Sequence, residues 1–581
     1  RTFRRKKDAE ELSCGFEEEQ VLSDSDRRIE QQLCNATNRF MEIIFPITYN
    51  RKIMKKIYAL LFVSLLLFIG YSCEDGSLSH GDVYIPDPVE ESDEDDGFAT
   101  EPTTTSVVRM SIGEGHQHQM IDGFGCGFAE WSHRIWNNNH RDAVMADLFG
   151  DNGLKLNIFR GEVFPHYQDD VTGEIEFGMD RNFNLPADEP KYMNNYWFKY
   201  HGAECAEQVQ LGQMWLVDYL SRKHKSMKYM FSVWSPPKKW KDKDSNSGGS
   251  LKAIHYEDYA NYLIDFVKEY EKKFGINIYG LSPTNEPDNT FTAWSTCKWT
   301  PEQLADFSHN TFRKSLDAAG YNDKKIIMGE CSSWWKASYS SFLTASNQFF
   351  KKCLESEASL ANDNVIAAGH GYSMSNLDNI LPFDEAVNAN IPVWMTENCD
   401  NLKRSEDWND AMKWARNFHY YLAQANVNAY IWWAGARPCS TTGENLIQLE
   451  EAIPGTTYYR VPRYYTYGQF TRFIEAGSHR VDVEAIPSEE NQFPAELLMS
   501  AYVKDNTYTI VLVNSSEKES FSTLVEIEGK SFQNMIAYTS SEDVKWQRKK
   551  FNPSLSGLRS ITVPKLSVVT VTGKIKDIAA E

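Results

Sequence analysis

Two glutamates in this chain stand where chemistry could be done. Glu286 lies in Thr284-Asn285-Glu286-Pro287, and Glu397 follows Thr396; each closes an apolar run. Such runs read as buried strands, and a carboxylate at a strand end meets solvent at the edge of the core. Two carboxyl groups facing each other across a cleft can cleave a glycosidic bond. One protonates the leaving oxygen and the other attacks the anomeric carbon, at a separation of about 5–5.5 Å. Glu286 would be the acid/base and Glu397 the nucleophile, provided that their surroundings keep one protonated and the other ionised. Arg160 ends another run and could hold Glu397 ionised by a charge-assisted hydrogen bond. Asn285 could bond a sugar hydroxyl. His370 and Tyr372 follow a further run, and Tyr372 could bond the nucleophile. Trp234, Trp299, Trp432 and Trp433 could offer flat faces to sugar rings, although core packing accounts equally well for any single tryptophan. Glu330 would line the cleft or pair with a neighbouring base. His116 and His118 form an H-x-H, read as a polar turn because the sequence identifies no third ligand. No H-E-x-x-H, P-loop or dinucleotide fingerprint occurs.

These residues must be held by something repetitive. Eight short apolar runs occur, at 121–128, 153–160, 228–234, 277–284, 325–330, 365–370, 391–397 and 428–433. Helical patterns such as 257–273, 301–319 and 408–424 lie between them. Eightfold strand–helix alternation predicts an α/β fold with a (β/α)8 barrel, a doubly wound sheet being the alternative. A barrel would bring Arg160, Trp234, Asn285-Glu286, Glu330, His370, Glu397 and Trp433 to one face, where barrel active sites sit. The barrel is expected over 121–459. Beyond it, 480–485, 497–504, 507–514, 522–528, 534–539 and 567–573 are short and β-rich, which predicts an antiparallel β-sandwich over 460–581. Residues 105–120 are expected to add strand to that sandwich.

The chain carries 60 basic and 81 acidic side chains, a formal charge of −21, which argues against nucleic acid as a partner. Eleven acidic and no basic residues fall within 74–101, so 74–104 reads as an acidic disordered linker. Before it, Met54-Lys55-Lys56, an apolar run and Gly70-Tyr71-Ser72-Cys73 resemble a lipoprotein-type signal peptide over 54–73. Residues 1–53 then read as an upstream extension, with Met54 the start. The expectation is an exported, outer-membrane or cell-surface protein, membrane-bound only through lipid on Cys73, and monomeric, with a periplasmic or secreted protein as the alternative. Seven cysteines follow Cys73 without a C-x-x-C pair, which favours neither a disulfide framework nor a zinc site. The 16 Trp, 29 Tyr and 32 Phe make 13% of the chain, a content that suits carbohydrate or a large aromatic core.

The chain resembles glycoside hydrolase family 30. The matching pieces are Asp122-Gly123-Phe124-Gly125, Trp234-Ser235-Pro236-Pro237 with Trp240-Lys241, Gly248-Gly249-Ser250-Leu251, Asn285-Glu286-Pro287, Thr396-Glu397, and Tyr464-Tyr465-Thr466-Tyr467-Gly468-Gln469-Phe470-Thr471-Arg472-Phe473-Ile474 with Gly477-Ser478. The resemblance implies a barrel joined to a side β-sandwich built from both chain ends, with no metal or organic cofactor. It makes Glu286 the acid/base and Glu397 the nucleophile. Tyr256-Glu257-Asp258-Tyr259-Ala260 and Ser295-Thr296-Cys297-Lys298-Trp299 look most like the bacterial xylanase branch. Glucuronoxylanases carry a double arginine after strand eight; the stretch Trp432-Trp433-Ala434-Gly435-Ala436-Arg437-Pro438 has one. A plant-type polysaccharide is the expected substrate, xylan first. β-1,6-Glucan and glucosylceramide are the alternatives, and a non-catalytic glycan-binding protein is the competing class.

Overall fold

The computed structural model describes residues 104–578, apart from 112–113, 165–202, 290–294, 341–343, 373–375, 402–403, 440–441, 453, 487–492, 528 and 552–557. The expected upstream extension, signal peptide and nearly all of the linker lie outside the described residues, as does Trp294, a further tryptophan whose flat face could suit a sugar ring.

Eight parallel strands close into a barrel. They are β1 (Gly123–Gly127), β2 (Ile158–Glu162), β3 (Lys228–Ser232), β4 (Ile278–Ser282), β5 (Lys325–Gly329), β6 (Val365–His370), β7 (Val393–Asn398) and β8 (Ala429–Trp432). Each falls on one of the eight apolar runs, and β8 pairs with β1 to close the ring. Alternate side chains point inward. Ile158, Met230, Ile327, Ile366, Ala368, Trp394, Ala429 and Ile431 fill the interior as one cluster, while the intervening residues pack outward against the helices.

The helices follow their apolar spacing. In Tyr256–Phe274 the buried residues include Tyr256, Tyr259, Ala260, Leu263, Phe266, Val267, Tyr270 and Phe274, and Gly275 ends the helix at φ +64°, a conformation that glycine adopts without a Cβ penalty. Pro301–Asp306 starts on a Thr300–Gln303 capping box with proline in its first turn. The patterns at 301–319 and 408–424 are helical but not uniformly α. Phe307–Arg313 and Tyr420–Gln424 form wider π turns.

The second layer is a sandwich whose two sheets share strand His479–Ile486. Its first half pairs with Leu497–Lys504 and its second half with Thr104–Ser111. Thr104–Ser111 also runs parallel to Phe521–Ile527, so both chain ends build this layer. The core between the sheets holds Val108, Met110, Phe521, Val525 and Ile561 from one and Ile510, Leu512, Val569 and Val571 from the other. Gln117–Met120, within the expected 105–120, is a second strand that joins this layer, and Gln547–Lys550 and Leu558–Val563 are further strands that composition did not single out. His116 and His118 both bond Asp482 at the surface of this layer.

One boundary differs from expectation. Residues 462–471, grouped with the sandwich by sequence, form a helix against the barrel. The Tyr467 hydroxyl lies 3.0 Å from both the Gly125 and the Tyr430 carbonyl oxygens, at the β1–β8 closure. The opposite side meets the sandwich, where Gln469 Nε2 donates to Ser540 Oγ at 2.8 Å and Trp546 Nε1 to the Tyr465 carbonyl at 2.9 Å. This segment is buried on both sides, so it shows none of the polar face by which a surface helix is recognised.

Candidate active site

The C-terminal ends of the strands converge on a buried charged cluster. Arg160, on β2, is its centre, with a fully buried side chain. Its Nη1 donates to Glu397 Oε2 at 2.6 Å, and its Nη2 to Asn285 Oδ1 at 2.7 Å and Glu330 Oε1 at 3.2 Å. Burial opposes its charge, yet Glu330 and Glu397 raise its pKa further. Its guanidinium carbon lies 4.9 Å from the Trp234 ring centroid, a cation–π contact that adds to its fixing.

Glu397 sits where the β6–β7 register shifts between Gly369 and His370. Such an irregularity re-aims a side chain, and here it sets Glu397 beside His370. Tyr372 donates to Glu397 Oε1 at 2.7 Å, so each carboxylate oxygen has its own donor. Glu286 follows β4 with φ +46°, a left-handed conformation that costs a non-glycine residue about 1–3 kcal/mol. The backbone helps to hold it: Glu286 N–H donates to the Glu330 carbonyl at 2.9 Å. Its carboxyl faces His370 Nδ1 at 3.3 Å and accepts from Asn289 Nδ2 at 2.7 Å. One atom each of Glu286, His370 and Glu397 lie within 4.8 Å of one another.

The electrostatics follow from the charges. Burial pushes the Glu286 carboxyl up, but His370 and the Asn289 hydrogen bond bring it below its ordinary range. Burial lowers the His370 pKa, and Glu397, Glu286 and Glu330 outweigh it to raise it to about 9. Burial likewise pushes Glu330 up, but the Arg160 charge and His370 take it down to about 2. Asp288, two residues beyond Glu286, is pushed up to about 6 by burial and by Glu286. Three carboxylates thus surround two cations, and the Glu286–His370 pair has one proton to share. Glu286, His370 and Glu397 could in principle ligate a metal ion. The donor set fits one poorly, because Arg160 and a His370 that favours its protonated form already supply positive charge there.

The structure brings Arg160, Asn285, Glu286, His370, Tyr372 and Glu397 together, with Trp234 and Trp433 above them. The Trp234 and Trp433 rings are 6.0 Å apart. A Cβ on Gly127 would come within 2.4 Å of the Trp433 ring, so glycine is needed on β1 to seat it. Two expected sugar platforms do not belong to the site. Trp432 is fully buried and points outward, its ring 4.6 Å from Trp414 and its Nε1 donating to the Glu444 carbonyl. Trp299 is buried in a stack with Tyr256 at 6.0 Å. Trp432 belongs to the core because successive positions along a strand face opposite ways, and Trp299 because its segment packs on the helices that carry Tyr256, Tyr259 and Phe307. Ser232, which donates to Glu330 Oε2 at 3.0 Å, and Asn289 were not found by sequence reasoning. Asn289 lies three residues beyond Glu286, within reach of its carboxyl across a single turn. Cys126, Cys297, Cys331, Cys353, Cys399 and Cys439 are free and buried.

Residues 121–420 match the glycosyl hydrolase family 30 TIM-barrel domain. The chain is 26% identical to glucuronoxylanase XynC of Bacillus subtilis (strain 168) over 372 residues, which cover 62% of this chain and 75% of that protein. It is 22% identical to the lysosomal acid glucosylceramidase of Mus musculus over 410 residues, 65% of this chain and 70% of that one. Among solved structures, the catalytic domain of a family 30 xylanase C from Talaromyces cellulolyticus superposes with a TM-score of 0.63 at 20% identity, covering 81% of this chain and all of that one. With the family model matching seven of the eight barrel strands and the whole charged cluster, this chain belongs to glycoside hydrolase family 30 and is a glycoside hydrolase.

Proposed function

We propose that this enzyme is a retaining β-glycosidase acting on a plant-type polysaccharide, xylan first, by double displacement. The observation that carries the reading is the close approach of Glu286 and Glu397, whose facing atoms lie within 4.8 Å. Inverting enzymes hold their carboxyl groups about 6.5–9.5 Å apart, to admit a water molecule. Glu397, held by Arg160 and Tyr372, attacks the anomeric carbon and forms a glycosyl-enzyme. The proton for the departing oxygen comes from the Glu286–His370 pair, delivered by Glu286, which then takes one from the incoming water. Asn285 spends its oxygen on Arg160, leaving its amide nitrogen for a sugar hydroxyl. Trp234 and Trp433 provide the apolar wall. No metal ion or organic cofactor is needed, so excess chelator leaves the rate unchanged.

Xylan leads because xylanases stand among both the sequence relatives and the structural ones. The glucosylceramidase relative supports the lipid-glycoside alternative, and β-1,6-glucan is the third. The arginine after β8 bears on branching. Arg437 is buried, bonds Glu444 and lies 3.6 Å from the centroid of the Trp131 ring. With that charge engaged, the reading favours a substrate recognised without a glucuronic acid branch. Product profiling on plain xylan, glucuronoxylan, β-1,6-glucan and glucosylceramide tests this. Absence of any reducing sugar would mark a binding protein, and an inverted anomer at early time would sink double displacement. We further propose that the protein is exported, monomeric and lipidated on Cys73. Labelling with a radioactive fatty acid in cells, lost on Cys73→Ala, tests the anchor.

A further inference from the structure

We propose that Glu330, buried beyond the reach of any substrate atom, is a positioning residue for the reaction: it fixes Arg160 and His370 behind the two reacting glutamates and balances their positive charges. The proposal rests on the roles given above to Glu286 and Glu397.

Glu330 ties together residues from four other strands of the barrel. It follows β5 directly, at φ +40°, with its side chain fully buried. Its carbonyl accepts the Glu286 N–H at 2.9 Å, so its backbone sets the height of the acid/base. Its Oε1 accepts from Arg160 Nη2 at 3.2 Å and lies 3.8 Å from His370 Nε2. Its Oε2 accepts from Ser232 on β3. Each cation is therefore shared: Arg160 between Glu330 and Glu397, His370 between Glu330 and Glu286. His370 is also faced by Glu397 at 3.8 Å, by Arg160 at 3.5 Å and by the Tyr372 ring at 6.0 Å, while Asp288 acts on it at longer range. A left-handed backbone on a bulky residue, with a carboxylate removed from water, is an expensive way to fill space. A neutral side chain would leave two buried cations facing two carboxylates that the reaction needs for other work. With Glu330 present, the proton shared by Glu286 and His370 stays on the pair to higher pH.

The test is Glu330→Gln in the full enzyme, read in two ways. NMR titration of the His370 ring needs no substrate. Its midpoint, near 9 in the parent, is expected to fall by about one pH unit or more once a neighbouring carboxylate is gone. The alkaline limb of kcat/KM should fall with it, with kcat down about tenfold or more and KM within about twofold. An unmoved His370 titration and alkaline limb in a folded variant would overturn the proposal. So would a raised KM with kcat intact, because that places Glu330 against the substrate. If Glu330→Gln does not fold, Glu330→Asp decides. It keeps the charge but shortens the reach, so the limb stays in place while kcat falls; parental kcat would overturn the positioning role. Full activity in Glu286→Gln or Glu397→Gln would sink the proposed function but leave the His370 titration as a separate result.

Discussion

At the residue scale, the two glutamates differ in what surrounds them, and that difference sets the predictions. Glu397→Gln removes the attacking group and should leave only background hydrolysis. Glu286→Gln should cost about 10²–10⁴-fold on a natural glycan, the usual worth of a placed acid or base. It should cost much less for glycosyl-enzyme formation from an aryl glycoside whose leaving group needs no proton; equal losses on both substrates would refute the acid role. Tyr372→Phe leaves one Glu397 oxygen without its donor and should lower kcat by about tenfold to a hundredfold, the worth of a charge-assisted bond. The pH profile follows from His370. Its folded pKa, about 9, lies above the ordinary histidine value, so the last shared proton is present at neutral pH and leaves as pH rises through about 9. Activity should hold below that point and fall above it. Stability linked to His370 has the same sign and should be lost over the rise to about 9, measurable by denaturant melts across that range. Arg160, Asn285, Glu286, His370 and Glu397 were legible in the sequence because charged or polar residues ending apolar runs have few structural uses. Ser232 was not, because a serine within a strand looks the same whether or not it bonds a buried carboxylate.

At the element scale, adjacent tryptophans on β8 and just beyond it separate two kinds of work. Trp432 packs among Trp414, Phe418 and Tyr467. Trp432→Ala should cost about 3–5 kcal/mol, the range for a large core aromatic, with KM little changed in whatever folds. Trp433 is itself largely buried, so Trp433→Ala should lower stability as well as raise KM; an unchanged KM would show that its ring does not face the substrate. Gly127→Ala on β1 tests the same wall from behind, since its methyl group meets the Trp433 ring. Activity should fall with little unfolding. All eight barrel strands could be read from the sequence because central parallel strands are apolar on both faces and make continuous runs. Which face each tryptophan took could not, since both faces are apolar. The helix at 462–471 was missed for the same reason: with neighbours on both sides, it carries no amphipathic signature.

At the scale of the whole molecule, the barrel and sandwich share a helix rather than a linker. Tyr467 joins that helix to both strands at the barrel closure through a single hydroxyl. Tyr467→Phe should cost about 1–3 kcal/mol for the buried carbonyls left short of a donor, with heat unfolding still a single transition; two transitions would show that the layers melt independently. The order of the chain has a further result. Thr104–Ser111 is made before any barrel strand, yet its partners are Asp482–Ile486 and Phe521–Ile527. During synthesis this strand emerges before the barrel and waits, unpaired, until the strands of 482–486 and 521–527 have been made. It is an open edge for all of that time, and a chain stopped after the barrel would carry that edge permanently, inviting self-association.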